Sequence, residues 1–267
     1  GPGVSLSAAG IRAALGPRTA CVILNSPNNP TGVIYSKEEL EAVAAVLTEH
    51  GEATGRMPYL VADEPYRRIV YDGAVVPSAM AAYPETIVAS SWSKSLSLPG
   101  ERIGYIAISP RCADADELFA GMSMSTRILG FVNAPALMQR AVAELLYEPT
   151  DVASYDRRRH LLAEGLAAAG YEFPRPAGAF YIFARVPALP AGAEAAPDAA
   201  EATADATDLG LDIAYAMHLK RYGVIAVPGV GFGWPGWLRI SYCVSERTIA
   251  EALPRFAQAA EDWKAGR

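Results

Sequence analysis

Four short apolar runs in the first half of the chain constrain its fold more than any other feature. They are residues 20–24 (ACVIL), 59–62 (YLVA), 86–89 (TIVA) and 102–108 (RIGYIAI), and each runs into polar or turn-forming residues. Runs this short and rich in β-branched side chains read as buried strands rather than helices. A helix follows the first of them. It begins at Ser36, where Glu39 completes a capping box, and Leu40, Val43, Ala44 and Leu47 then recur at helical spacing. Strands linked in this way predict an α/β fold with a mainly parallel sheet buried on both faces.

The second half changes character. Residues 117–170 read as helical with a break at Pro149, residues 180–183, 224–227 and 238–243 as strands, and 246–264 as a terminal helix. Two domains are expected: 1–148, part of a larger α/β domain, and 149–267, a smaller α+β domain. Residues 188–208, biased to Ala, Pro, Asp and Glu without an aromatic, read as a mobile surface insertion.

Composition excludes several function classes. Hydrophobic residues make up 51% of the 267, enough for a sizeable core. No apolar run reaches the length needed to span a bilayer, so no membrane partner is expected. The balance of 23 Lys+Arg against 29 Asp+Glu, net −6, argues against a nucleic-acid partner. Cys21, Cys112 and Cys243 are widely separated and form neither a disulfide framework nor a CxxC metal signature; they read as buried or half-buried thiols in a reducing compartment. The opening residues show no charged-then-apolar leader, which makes the cytoplasm the expected location. His50, His160 and His218 lie scattered on predicted helices and read as surface or packing residues, and Trp234 and Trp237 as packing.

The strand ends carry the chemistry. Asn29 sits in the turn after the first strand, Asp63 closes the second, Lys94 follows the third in SSWSKSLSLPGER, and Arg102 stands at the mouth of the fourth. Ligands of open α/β sheets bind outside the carboxyl ends of the parallel strands, so these connections deliver an amide, a carboxylate and an amine toward one place. A Schiff-base lysine must spend part of its time unprotonated. A carboxylate aimed at a pyridine nitrogen keeps that nitrogen protonated and makes the ring a better electron sink. Hydroxyls and an arginine near the lysine suit a phosphate. Pyridoxal 5'-phosphate makes all of these demands.

The strings NSPNNPTG, VADEPYRRIVYDG, SSWSKSLSLPGERIGY, RPAGAFYIF and WLRISYCVS occur in that order. Together they resemble the class I and II aminotransferases of the fold-type-I pyridoxal-phosphate superfamily, aspartate aminotransferase-like in pattern, across nearly the whole chain. The resemblance implies transfer of an amino group from an L-amino acid to a 2-oxo acid by a ping-pong route, in a homodimer. It implies that Lys94 forms the Schiff base and carries the proton, and that Asp63 pairs with the pyridinium nitrogen. Tyr66 and Asn29 would hydrogen-bond the cofactor's phenolic oxygen. Ser91 and Arg102 would hold its phosphate, with Ser93 a lesser candidate, and Arg239 would clamp the substrate α-carboxylate. Arg127 receives no role, and Tyr181 reads as packing near the domain junction.

The same resemblance carries a departure. Family members have a segment ahead of the position where this sequence starts, with further strands, a glycine-rich phosphate turn and an aromatic residue that stacks on the cofactor ring. Residues 1–19 read instead as a helix leading into the first strand. The expectation is an N-terminally truncated chain whose sheet has unpaired edges and a partly uncovered face, and which binds cofactor poorly and turns over slowly or not at all. Two other functions are compatible with these residues: a β-eliminating lyase of the same fold, and a non-catalytic aminotransferase-like sensor domain.

Overall fold

Elements along the chain, in a computed structural model that describes residues 4–188 and 210–267, alternate as the apolar runs require. They are α1 (Ala8–Ala14), β1 (Cys21–Asn25), α2 (Lys37–Thr54), β2 (Tyr59–Asp63), α3 (Ala79–Ala82), β3 (Thr86–Ser91), α4 (Trp92–Ser95), β4 (Gly104–Ile108), α5 (Ala115–Ile128), α6 (Ala136–Glu144), α7 (Val152–Ala168), β5 (Tyr181–Arg185), α8 (Leu211–Arg221), β6 (Val227–Pro228), β7 (Trp237–Ser241) and α9 (Glu246–Lys264). Beyond Ala188, the insertion expected at 188–208 lies outside the described residues. The chain divides into two compact units. One comprises residues 5–28 and 34–150; the other comprises Val4, residues 29–33 and residues 151–267. No helix among the described residues is long and apolar enough to cross a membrane.

In the first unit the sheet runs in the order β1-β2-β3-β4. β1, β2 and β3 are parallel, and β4 is antiparallel to β3. The capping box of α2 is complete: the Ser36 hydroxyl accepts from Glu39 N at 3.1 Å and the Glu39 carboxylate accepts from Ser36 N at 2.7 Å. Gly55 ends the helix at φ 72°, a conformation glycine adopts without a Cβ penalty. The apolar stripe of α2, Leu40, Val43, Ala44 and Leu47, packs with Leu24, Leu60 and Ala62 of the sheet.

Two expectations about this sheet are corrected. The fourth strand begins at Gly104 rather than Arg102; it runs against its neighbour, which puts its start beside the end of β3, with Ser91 opposite Gly104. Nor is the sheet buried on both faces, as its apolar runs alone suggest; one face is partly uncovered, in line with the other expectation above. Side chains alternate along a strand, and the row on the face away from Leu24 and Ala62 leaves Ile23 67% and Ile106 56% exposed. The helical stretch expected over 117–170 is also interrupted earlier than Pro149. Gly130, at φ 83°, and Pro135 separate α5 from α6.

The second unit is built on an antiparallel sheet in the order β5-β7-β6, with α7 and α9 packed together. Leu162, Leu166, Ile182, Phe183, Leu238 and Phe256 are among its buried side chains. The strand expected over 224–227 reduces to Val227–Pro228, because only these two residues find ladder partners on β7. His218 is buried against Tyr215 and Trp263, and its Nε2 lies 2.9 Å from the Ala259 carbonyl; burial pushes its pKa down. Of the cysteines only Cys112 is buried; Cys21 and Cys243 are exposed, against expectation.

Candidate functional site

Five of the seven residues singled out by sequence lie in the first unit, at the carboxyl edge of the parallel strands. Asp63 is the last residue of β2 and faces Ala89 across the ladder. Ser91, two residues beyond Ala89, therefore points to the same face as Asp63. Lys94 follows one turn later, in α4, with Nζ 5.8 Å from the centre of the Tyr66 ring. Tyr66 itself is buried. The reversal of β4 brings Arg102 to this edge as well, just ahead of Gly104. Arg102 is exposed, takes a left-handed φ of 51°, and donates from Nη1 to the Pro99 carbonyl at 2.8 Å.

Backbone and ring contacts fix this edge. Glu64 N donates to the Ala89 carbonyl at 2.8 Å, and the Ser90 hydroxyl donates to the Glu64 carbonyl at 3.1 Å. The Trp92 ring lies 5.3 Å from that of Tyr105, and the Thr150 hydroxyl donates to the Ser95 carbonyl at 3.1 Å. A Cβ at Gly104 would stand 2.5 Å from the Ser90 carbonyl oxygen and 3.1 Å from the Ser91 Cβ. Only glycine lets β4 approach the end of β3 so closely.

Asp63 is electrostatically unfinished. Burial raises its carboxyl pKa, the Asn25 amide opposes that shift by donating to Oδ2 at 2.9 Å, and no cation pairs with it among the described residues. A half-buried carboxylate of this kind is stabilised by a positive group placed against it. Asn25 was missed by sequence reasoning. It stands opposite Asp63 in the β1–β2 register, and the register is set by pairing rather than by any local string.

The remaining two residues lie in the second unit and touch each other across 210 positions of sequence. Arg239, in β7, donates from Nη1 to the Asn29 Oδ1 at 3.0 Å. Its guanidinium carbon sits 4.8 Å from the Tyr181 ring centre and 5.0 Å from that of Phe232. Its Nε is buried and has no hydrogen-bond partner among the described residues. A guanidinium held between rings, with an N–H edge still unsatisfied, can bind a planar anion. Tyr181 was assigned to packing by sequence, and Phe232 was not singled out. The GAFY string was visible, but its position over an arginine some sixty residues later was not. Trp237 does pack, stacked on Phe183 at 5.3 Å. Arg127 is exposed in the last turn of α5.

Comparison with known proteins gives consistent matches. The family model described as aminotransferase class I and II matches residues 2–256. An aspartate/prephenate aminotransferase of Thermus thermophilus is 34% identical over 255 residues, covering 93% of this chain and 58% of that protein. An aspartate aminotransferase of Geobacillus stearothermophilus is 33% identical, covering 93% and 60%. Among solved structures, an amino transferase from Eubacterium rectale superposes with a TM-score of 0.83 at 37% identity, over 96% of this chain and 59% of that one. The chain thus spans about three-fifths of the length of the curated relatives it matches.

Proposed function

Since the chain belongs to the class I and II aminotransferase family, with the fold-type-I architecture of its structural neighbours, we propose that the protein transfers an amino group from an L-amino acid to a 2-oxo acid using pyridoxal 5'-phosphate. The observation that carries this reading is Arg239, whose buried Nε, without a partner among the described residues, suits the α-carboxylate that both substrates share. Residues 1–148 serve as the cofactor-binding part and 149–267 as the smaller domain. The working state is a cytoplasmic homodimer, as the family resemblance implies.

The residues present fit the cofactor. Asp63, half-buried and without a cation partner among the described residues, matches a pyridinium nitrogen; Ser91, Ser93 and Arg102 offer the donors a phosphate needs; Lys94 offers the amine. When bound, the cofactor supplies an electron sink that weakens the bonds at the substrate's Cα. This chain's residues do the rest. Asp63 would hold positive charge at a pyridinium nitrogen. Lys94 Nζ, 5.8 Å from the centre of the Tyr66 ring, would take and return the substrate proton. Tyr66 would donate to the cofactor's phenolic oxygen, and the resemblance gives Asn29 the same role. Arg239, with the Tyr181 and Phe232 rings over its guanidinium, would bind the substrate carboxylate.

The test is to add pyridoxal 5'-phosphate to the chain and to a Lys94→Ala variant, then supply L-aspartate with 2-oxoglutarate. A visible cofactor band that depends on Lys94, however weak, with new glutamate formed, however slowly, is the expected result. Pyruvate and ammonia in place of glutamate would assign the lyase. A Lys94→Ala band equal to that of the unaltered chain would overturn the lysine assignment.

A further inference from the structure

We infer that Arg159 is a positioning residue for carboxylate recognition: by tying residues 175–178 to α7 it holds the 29–33 turn, and with it the Asn29–Arg239 pair. This rests on the proposed reading of Arg239 as the carboxylate clamp. Arg159 is fully buried, a position that a guanidinium occupies only when its charge and its N–H groups are satisfied. Asp156, one turn earlier on α7, answers the charge, lying 2.8 Å from Nε and 2.7 Å from Nη2. Nη1 reaches off the helix to the Pro176 carbonyl at 2.9 Å. The neighbouring Arg175 donates to His160 Nε2 at 2.7 Å, so the segment is tied to the same helix twice.

That segment in turn grips the turn that carries Asn29. Ala177 N and Gly178 N both donate to the Gly32 carbonyl at 2.9 Å. Gly32 is buried at φ 71°, and a Cβ there would stand 2.4 Å from the Pro176 Cβ. The turn therefore sits against Pro176 with no space between them. It clusters with the second unit although the flanking chain on both sides belongs to the first. From Arg159 the path runs through Pro176 and Gly32 to Asn29, whose Oδ1 accepts a hydrogen bond from Arg239 Nη1. Methionine at 159 would fill a similar volume while leaving Asp156 and the Pro176 carbonyl without their donor.

The experiment follows the arginine Nε–H resonances of the full chain by NMR during titration with succinate, a dicarboxylate probe, and records amide exchange in parallel. In the unaltered chain the Arg239 Nε–H signal should move with succinate. In Arg159→Met the succinate affinity should fall about tenfold, the scale on which residues behind a site modulate it. Ala177 and Gly178 amides should exchange faster while those of β5 and β7 do not, and Arg159→Lys should recover part of the affinity. If Arg159→Met does not fold, Gly32→Ala, which displaces the same turn directly, should show the same loss. A folded Arg159→Met, or Gly32→Ala in its place, that binds succinate as the unaltered chain does would overturn the inference. An Arg239 signal that never responds in the unaltered chain would overturn the carboxylate reading itself, and the inference with it.

Discussion

Asp63 is a residue whose cost and use point in opposite directions. Burial holds its carboxyl above the ordinary range and only the Asn25 amide opposes this. A raised acid pKa in the fold means that the folded state binds the proton more tightly than the unfolded one. The penalty is therefore absent below the unfolded pKa of about 4 and fully present above the folded one. Without cofactor, Asp63→Asn should be more stable than the unaltered chain at pH 7, by less than about 1 kcal/mol, because an amide carries no charge to desolvate and still accepts from Asn25. Denaturant unfolding at pH 7 and near pH 3 checks this: the difference should close at the lower pH, and a less stable variant at pH 7 would contradict it. The same substitution should weaken cofactor binding, a trade of function against stability. Asp63 was legible in the sequence because a carboxylate closing an apolar run stands at a sheet edge. Its partner Asn25 was not, since the contact depends on which residues face each other between β1 and β2. Arg239 and Asn29 were each legible through a motif, but their direct hydrogen bond was not.

At the scale of elements, helix ends were easier to read than strand directions. The Ser36 and Glu39 spacing fixed the start of α2, and 246–264 matches α9 residue for residue, with Ser245 accepting from Thr248 N at 3.0 Å. The direction of strand β4 was not legible, because its apolar run is the same either way. The distinguishing feature lay in the connection. A parallel return needs a crossover, usually a full helix, and between β3 and β4 there are only α4 and a short 3-10 turn at Pro99–Glu101. Glu39 also does something the capping box did not announce. Its Oε1 accepts from Leu6 N at 2.8 Å, tying the stretch before α1 to the start of α2. Ser36→Ala should cost about 1 kcal/mol, the usual price of a lost N-cap. Glu39→Ala removes the acceptor for two backbone donors and should cost more, with faster exchange at the Leu6 amide. Equal losses in the two variants, read from denaturant midpoints, would show that the Leu6 bond contributes nothing.

Across the chain as a whole, apolar surface is distributed unevenly. In the first unit one face of the sheet is packed with α2 while the other leaves Ile23 and Ile106 more than half exposed, and Phe119, Ile128, Phe131 and Leu137 on or next to α5 and α6 are at least 69% exposed. The composition, 51% hydrophobic, could not reveal this, because it counts apolar residues without saying which faces are covered. Exposed apolar patches beyond a few hundred Å² and open strand edges both favour association. At micromolar concentration the chain alone should therefore bind a hydrophobic dye and sediment as more than a monomer. Lysine at both Ile23 and Ile106 should reduce self-association with little change in melting temperature, since neither side chain contributes to the packed face. Sedimentation velocity on the two chains decides the matter. A monodisperse monomer for the unaltered sequence, or a double-lysine variant that associates as strongly, would mean that this face is not what drives association.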